Sequence, residues 1–389
     1  MDPINGPADV PASLTVEICR DFEKFLALES DWDRLHRRCG AATPFQTHAW
    51  LRSWWRGYGK EGRLRILLVL DGGELLGAVP LMLTYRPWPV LVGWGGAISD
   101  FNDVLVADEY AAEVLPVLTK ALHRRSPGRV IDLREVRPDG VAQRVFDRWP
   151  GARHRTDDSV CLELPAKDMD GLVSRLASSR AQRARSKLRK WEAAGVQVHP
   201  VTEAAEIPQA VTTLIELHLR QWEGRGVTPE HLTHRFAEHL GNAVQGMVAT
   251  DNASLTLYSL DGRTVAANVT LQSGELSGGY LYGAEPELRE RKLDVATLLL
   301  REEASGAAAG GRTVISLLRG NEPYKQHWKP EEIVNQRLVL AGSGAALPWR
   351  LHAALIRLRK ELAARGRRHA PLVTLWRKRL GALRVGRPR

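Results

Sequence analysis

The sequence predicts an α/β protein with two similar domains in tandem, each a mixed, mostly antiparallel sheet flanked by helices, followed by a basic helical C-terminal extension. Three observations carry this prediction: a strand–turn–strand pattern that occurs twice, the helix and strand that follow each copy, and a change of charge near the C-terminus. The chain has 389 residues, which is enough for two or three domains of roughly 150 residues.

The duplicated pattern is LDGGELLGAVPL at residues 70–81 and LDGRTVAANVTL at residues 260–271, a constant offset of 190 residues. An Asp-Gly pair between two apolar runs is a strong signal for a β-hairpin with a tight turn. Repetition at so long a period indicates two related domains rather than a solenoid of short repeats.

Each hairpin is followed by a helix and then a buried strand, at residues 111–125 and 129–135 in the first half and 293–304 and 312–318 in the second. Helical patterns also precede the hairpins, at residues 22–38 and 47–55 and again at 169–194 and 208–221. These elements together make an α/β unit with a mixed sheet. We place the domains at residues 1–155 and 165–340, with the boundary in the polar stretch between Trp149 and Lys167, and the extension at residues 341–389.

The net charge of +10 is concentrated in this extension. From Arg350 to Arg389 there are thirteen Lys and Arg and one acid, Glu361, whereas the other 349 residues carry 42 basic and 44 acidic groups. A basic tail suits an anionic partner such as a membrane surface or a nucleic acid. Trp349, Leu355 and Leu362 recur at roughly helical spacing, so the tail is either a helix docked on its own domain or a basic interfacial helix.

Composition excludes several classes of protein. Hydrophobic residues make up 44% and charged residues 26% of the chain, as in globular proteins. We expect neither a transmembrane helix nor a secretory signal, because no long uncharged apolar run occurs. Cys19, Cys39 and Cys161 are far apart and lack metal-ligand spacing, so we expect no disulfide framework and no zinc module. A reducing cytoplasm is the expected compartment, with contact to a membrane as a further option.

Four segments resemble the FemAB/CelD-like acyltransferase family of the GNAT acetyltransferase superfamily: FQTHAWL at residues 45–51, GAVPL at 77–81, YGAEPE at 282–287 and LRGNEPYK at 318–325. The last segment is the most specific, and the resemblance covers about residues 30–340. It implies a tandem pair of GNAT-like domains, which agrees with the repeat. It also implies transfer of an acyl group from an acyl-CoA such as acetyl-CoA to an amine or hydroxyl of a small-molecule, sugar or cell-envelope precursor.

The same resemblance leaves two alternatives open. Fem-type members use aminoacyl-tRNA and add amino acids to cell-wall or peptide precursors. Other members are linked to exopolysaccharide biosynthesis, where a degenerate chain could be a non-catalytic scaffold. The basic segment from Arg175 to Lys190, with Gly195 as its expected C-cap, could bind tRNA phosphates without reading sequence. The oligomeric state is not predicted.

GNAT domains hold the pyrophosphate of CoA at a helix N-terminus through a loop of the form Arg/Gln-x-x-Gly-x-Gly/Ala, where backbone N–H groups and the helix dipole attract it. The matching stretch begins at Arg291, and Asp294 stands where the pattern has Gly. An Asp there is also an ordinary N-cap, whose carboxylate would occupy the N–H groups and repel a pyrophosphate. The candidate CoA-binding residues are Arg291, Lys292, Asp294, Val295 and Ala296.

Acyl transfer needs a base for the nucleophile and an acid for the leaving group. The resemblance implies that Tyr324 is the acid, because GNAT domains often place a tyrosine after this strand. Glu322 and Asp103 are the candidate bases. We expect direct attack by the acceptor, since no Cys or Ser-His nucleophile is visible.

Five further residues are candidates for binding substrate, each with a structural alternative. Trp50 could stack on a sugar or belong to the core, and Asp100 could bind an amine or cap a turn. Arg319 and Lys325 could bind a phosphate or carboxylate, or form salt bridges. His218 matches a recurrent family histidine and could equally be structural. We expect no metal site, because the histidines near residue 231 lack a third ligand.

Overall fold

The computed structural model describes residues 14–85, 87–223 and 228–385, and the side chains of the last helix as far as residue 365. The first half contains strands β1 (Leu14–Cys19), β2 (Leu64–Asp71), β3 (Glu74–Tyr85), β4 (Pro89–Gly93), β5 (Leu105–Val106), β6 (Val130–Val136) and β7 (Arg153–Pro165). Its helices are α1 (Phe22–Ala27), α2 (Glu29–Arg37), α3 (His48–Tyr58), α4 (Ala111–Arg124) and α5 (Val141–Asp147).

The second half repeats this arrangement. Its strands are β8 (Gln197–Pro200), β9 (Ala253–Leu260), β10 (Arg263–Gln272), β11 (Leu276–Ala284), β12 (Val314–Arg319) and β13 (Glu331–Ala341). Its helices are α6 (Met169–Ser174), α7 (Ser178–Ala194), α8 (Ile207–Trp222), α9 (His234–Val248), α10 (Glu287–Glu290) and α11 (Val295–Ala309), and the basic extension is helix α12 (Ala346–Val385). The predicted α/β class, with a mostly antiparallel sheet flanked by helices, is confirmed.

Both predicted hairpins form with two-residue turns. Asp71 pairs with Glu74 in the first, and Leu260 pairs with Arg263 in the second. Both central residues of each turn have positive φ, 54° and 97° in the first and 52° and 75° in the second. This is the turn type whose twist matches a hairpin, and it explains the Gly-Gly and Asp-Gly pairs.

The described strands form one continuous sheet in the order β1-β2-β3-β4-β6-β13-β7-β12-β11-β10-β9-β8, with β5 beside β3. The two halves exchange their final strands. β7, the last strand of the first half, lies beside β12 of the second, and β13 lies beside β6 of the first. β7 and β13 pair with each other in the middle of the sheet, antiparallel, from Glu331 opposite Glu163 to Leu340 opposite Arg153.

The stretch in which we placed the domain boundary contains a 13-residue strand, β7. Only its C-terminal part, from Cys161 to Leu164, is buried. Its N-terminal part is polar because it is partly exposed, which is why the sequence pattern resembles a loop. β7 pairs with strands of the second half although it belongs to the first half by chain order.

The large apolar core also crosses between the halves. Helix α3 packs against α9 so closely that a Cβ on Gly246 would lie 2.8 Å from the Cβ of Ala49. The Ser53 hydroxyl donates to the backbone oxygen of His239 at 2.8 Å. The ring of Trp50 packs edge-on against Tyr280, with centroids 5.2 Å apart. The halves are thus joined by helix packing as well as by strand exchange.

The first turns of α12 dock on β6 and β13. Trp349 donates its indole N–H to the backbone oxygen of Val339 at 3.0 Å, and Ile356 is buried against Val130. The carboxylate of Asp132 accepts two hydrogen bonds from Arg337, at 2.8 and 2.5 Å, and one from His352 Nε2 at 2.9 Å. Burial alone would raise the pKa of Asp132, but these hydrogen bonds outweigh it and lower the pKa to about 2. No described helix has an apolar stretch long enough to cross a membrane.

We predict that Arg337→Met lowers the free energy of unfolding by about 3 kcal/mol, because it leaves a buried carboxylate with only one of its two partners. In the native protein, Asp132 contributes stability that is present above about pH 4 and is lost as the pH falls towards 2. The variant should lose this acid-sensitive contribution. Urea unfolding at several pH values measures both effects.

The matched control is Arg34→Met, since Arg34 and Asp31 pair on the surface with half-exposed side chains. It should change the free energy of unfolding by less than about 1 kcal/mol. If Arg337→Met is as stable as this control, the buried Asp132 cluster does not contribute to the free energy of unfolding as predicted.

Candidate active site

A groove lies in the second half between α7, the N-terminus of α11 and the short 3-10 helix Lys325–Trp328. We call it the α7 groove. Its volume is about 290 Å³, and Arg180, Arg183, Lys187 and His327 line it together with Tyr324. Four groups that are cationic or can become so surround one opening, which is the environment that phosphates require.

The sequence of α7 explains why its arginines face the groove. Ala181, Ala184 and Trp191 are its buried residues, so a narrow apolar side packs inwards and the charged side chains remain outside. Trp191 donates its indole N–H to the backbone oxygen of Asp294 at 2.9 Å, which ties α7 to the start of α11. α7 ends at Ala194, and Gly195 is its C-cap as predicted, in the left-handed conformation that glycine favours there.

Asp294 is the N-cap of α11. Its Oδ1 accepts from the N–H of Thr297 at 3.0 Å, and its Oδ2 pairs with Lys187 Nζ at 2.5 Å. Burial would raise the pKa of Asp294, but Lys187 and the Thr297 N–H outweigh it and lower the pKa. An ionised carboxylate therefore covers part of the helix N-terminus, where GNAT domains bind pyrophosphate.

The other four candidate CoA-binding residues lie in different places. Ala296 lines the α7 groove. Val295 lines a separate pocket on the other side of the helix start. Arg291 pairs with Asp261 at 3.3 Å on the surface, and Lys292 is exposed with a φ of 58°. Only Asp294 and Ala296 of the five thus line the groove.

A smaller inner pocket of about 80 Å³ continues from the α7 groove. The two share Ala296, Tyr324 and Trp328. Tyr324 is 40% exposed and stands at the junction. Burial of its hydroxyl, with the nearby Tyr282 and Glu322, raises the pKa of Tyr324, so the phenol keeps its proton at neutral pH. The predicted acid therefore lies at the mouth of the inner pocket.

The inner pocket contains a carboxylate that sequence reasoning missed. Glu303 on α11 lines the pocket, and its Oε1 is buried without a hydrogen-bond partner among the described residues. Burial raises its pKa to about 8, and the N–H of Gly279 offsets only part of the rise. A Cβ at position 279 would lie 3.2 Å from Glu303 Oε2, so glycine there lets the carboxylate approach the sheet.

The sheet facing Glu303 is unusually polar. Alternate residues of β9 and β10 carry hydroxyl or amide groups, and Thr256 stands opposite Asn268 in the register. A further cavity of about 40 Å³ lies among these side chains and shares Asn268 and Glu303 with the inner pocket. Alternation of polar residues on two paired strands is the sequence signal that could have drawn attention to this face.

Lys325 and Glu322 flank Tyr324 in sequence but differ in position. Lys325 is buried, lines the inner pocket and donates from Nζ to the backbone oxygen of Arg319 at 3.0 Å. Its Nζ also pairs with Glu322 at 2.8 Å. Glu322 is half-exposed and lies outside both pockets, so the structure brings Lys325, and not Glu322, to the site.

Arg319 and Asp100 bind each other instead of facing a pocket. Arg319 Nε lies 2.5 Å from Asp100 Oδ1, and its Nη1 lies 3.4 Å from Glu135. Asn335 of the exchanged strand β13 is fully buried and donates to the backbone oxygen of Asp100 at 3.3 Å. The two candidate binding residues thus form a polar cluster between the halves.

Asp103 caps α5 and lies in the first half, away from the groove. Its carboxylate accepts hydrogen bonds from the N–H groups of Val141 and Ala142 at 2.9 and 2.7 Å. Burial raises its pKa to about 7 despite these bonds. Because its oxygens are occupied by backbone donors, Asp103 has a structural role here.

Trp50 and His218 also have structural contacts. Trp50 is fully buried and donates to Ser99 Oγ at 2.8 Å, as the core alternative predicted. His218 donates from Nδ1 to the backbone oxygen of Tyr282 at 2.7 Å and contacts His231 at 3.2 Å. Burial lowers the pKa of both histidines, that of His231 to about 4, so both are neutral at pH 7. His218 supports the backbone of a residue in the inner pocket without entering it.

Residues 178–326 match the family described as Acetyltransferase (GNAT) domain. No curated protein is similar in sequence. Among the described parts of the chain, no group of His, Cys, Asp or Glu could hold a metal ion.

Three solved structures share the fold at low identity. FemX is 13% identical, covers 80% of this chain and 95% of its own, and has a TM-score of 0.58. A conserved protein of unknown function from Bacteroides thetaiotaomicron is 12% identical, with 84% and 99% covered and a TM-score of 0.56. L-PGS from Bacillus licheniformis is 10% identical, with 86% and 96% covered and a TM-score of 0.51. Residues 178–326 are therefore similar to GNAT acetyltransferase domains, and the chain as a whole shares the fold of FemX, in agreement with the FemAB-like resemblance.

Proposed function

We propose that the protein transfers an acyl group from an acyl-CoA, in the simplest case acetyl-CoA, to an amine or hydroxyl of a small-molecule, sugar or cell-envelope precursor. The observation that carries the proposal is the continuity of the α7 groove with the inner pocket. Cationic side chains for the donor phosphates line the α7 groove, Tyr324 stands at its junction with the inner pocket, and Glu303 lines the inner pocket.

Glu303 and Tyr324 are suited to opposite proton transfers. The acceptor N–H or O–H gives its proton to Glu303 as its nitrogen or oxygen bonds to the acyl carbonyl carbon. The bond from that carbon to the donor sulfur breaks, and the thiolate takes a proton from Tyr324. A base with a pKa near the working pH is the most effective, and burial raises the pKa of Glu303 to about 8.

The donor phosphates need a site other than the helix N-terminus, because Asp294 occupies part of it. We infer that Arg180, Arg183 and Lys187 bind them instead, since these side chains line the same groove. Arginine is suited to this because its planar fork binds phosphate oxygens in pairs.

Asp294 also favours a second candidate, in which the donor is an aminoacyl-tRNA and the product is an aminoacylated cell-wall or peptide precursor. Arg180, Arg183, Arg185 and Arg189 of α7 are exposed, so they could bind an RNA backbone beside the groove. A scaffold of an exopolysaccharide machine would need neither donor. We also propose a cytoplasmic location, which is supported by the three cysteines, all buried and unpaired.

Thermal unfolding with acetyl-CoA tests the donor. We predict a rise in Tm that corresponds to about 2.7 kcal/mol at a hundredfold excess over Kd. Arg183→Gln should weaken the response. Arg263→Gln should not, since Arg263 pairs with Glu287 on the surface away from the groove. A response that appears only in Asp294→Gly would mean that CoA is excluded from the natural site.

Steeply salt-dependent tRNA binding would then support the second candidate. If the protein responds neither to acetyl-CoA nor to tRNA, only the scaffold role remains.

Glu303→Gln tests the base. Because the general base must be ionised, the rate of the native enzyme should rise with pH up to about 8, and the variant should lose about 10²- to 10⁴-fold in kcat with little change in donor binding. Glu238→Gln is the control, since Glu238 is an exposed acid on α9 that lines neither the α7 groove nor the inner pocket. A Glu303→Gln variant that keeps its activity would contradict the assignment.

Stability gives an independent measure of the same group. Because its pKa is raised, Glu303 does not affect the free energy of unfolding below about pH 4.5, but it lowers that free energy progressively as the pH rises to about 8. Glu303→Gln should therefore be more stable than the native protein at pH 8, by up to about 4 kcal/mol, and equally stable at pH 4. Urea unfolding at the two pH values measures the difference, and equal stabilities at pH 8 would show that the carboxylate is solvated.

A further inference from the structure

Helix α12 carries an apolar surface that the described part of the body does not cover. We call it the leucine stripe: Leu347, Leu351, Leu355, Leu358 and Leu362. Their exposed fractions are 67%, 48%, 38%, 51% and 55%. At about 100° per residue, spacings of four, four, three and four place all five within an arc of about 80°.

The stripe faces away from the sheet. His352, Ala353 and Ile356 are buried on nearly the opposite side of the helix, where His352 contacts β6 and Ile356 contacts β6 and β13. The docked and interfacial alternatives for the tail are therefore not exclusive. One side of α12 is docked, and the other presents an apolar stripe to solvent.

The charges beside the stripe are mostly positive. Arg350 and Arg357 lie along one edge and Arg359 along the other, all exposed, and Glu361 is the single acid from residue 350 onwards. An apolar stripe between rows of arginine is the pattern of a helix that lies in a membrane interface, with the apolar side chains among the acyl chains and the arginines on lipid phosphates.

We propose that the leucine stripe docks the protein on an anionic lipid surface with α12 parallel to it. The inference does not depend on the proposed activity. A second copy of the chain fits the stripe poorly, because pairing two such helices would bring the arginines of both together with few acids between them. An RNA partner would match the arginines but would leave five leucines exposed without a partner.

Vesicle flotation of the full-length protein tests the proposal. We expect it to bind vesicles of equal parts phosphatidylglycerol and phosphatidylcholine, to bind pure phosphatidylcholine weakly, and to be released by salt. The triple variant Leu351→Ser/Leu355→Ser/Leu358→Ser should bind at least tenfold more weakly. The matched control Leu351→Met/Leu355→Met/Leu358→Met keeps the stripe apolar and should bind as the native protein does.

The arginines have a separate readout. Arg350→Gln/Arg357→Gln/Arg359→Gln should reduce the preference for phosphatidylglycerol by about fivefold for each charge removed. None of these side chains lies in the α7 groove, so the Tm and its response to acetyl-CoA should be unchanged. This separates failure of the lipid proposal from failure of the proposed activity.

Three results would overturn the proposal. The first is a native protein that does not bind the anionic vesicles. The second is a serine variant that binds them as tightly as the methionine control. The third is a dimer in light scattering that the serine variant dissociates while neither form binds vesicles, which would make the stripe an interface between copies.

Discussion

The exchange of final strands between the halves is the constraint on which the rest of the structure depends. β7 and β13 each leave their own half, pair with each other and close the sheet of the other half. Buried polar groups mark the place where they meet. Asn335 of β13 reaches Glu135 of β6 and Ser159 of β7 at 3.3 and 3.4 Å. These contacts connect β6, β7 and β13 across the exchange, although Asn335 Oδ1 has no hydrogen-bond partner among the described residues. Other arrangements of the two strands would remove the partners of Asn335 Nδ2 as well.

The same junction positions the candidate active site. Asp100 of the first half holds Arg319 at the end of β12, and the backbone oxygen of Arg319 accepts the hydrogen bond of Lys325. Lys325 opens the 3-10 helix that follows Tyr324. The first half thus contributes to the site indirectly, through a chain of contacts that ends at the mouth of the inner pocket. Gly320, which follows Arg319, also shapes the segment that leads to Tyr324, because its φ of 109° is a backbone conformation that other residues rarely adopt.

Local features could be predicted from the sequence, whereas distant pairings could not. The Asp-Gly hairpins and the Asp294 cap depend on neighbouring residues and appear as expected. Arg319 was a candidate either for binding an anion or for a salt bridge. The salt bridge forms, but its partner, Asp100, is 219 positions away, and no sequence pattern connects the two. The sequence did not predict β7 as a strand for the same reason, because the strands that pair with it lie in the other half. Glu303 follows another acid on a helix and belongs to no motif, so only the cavity around it reveals its environment.

The proposed function requires the donor to bind along the α7 groove and to reach Glu303. Hydrogen exchange measured by mass spectrometry, with acetyl-CoA and separately with aminoacyl-tRNA, tests this requirement. We expect one of the two donors to slow exchange in the N-terminal turns of α11 and in the segment around Tyr324, and to leave α4 and the first hairpin unaffected. Slowed exchange confined to the first half, or no change with either donor, would contradict it.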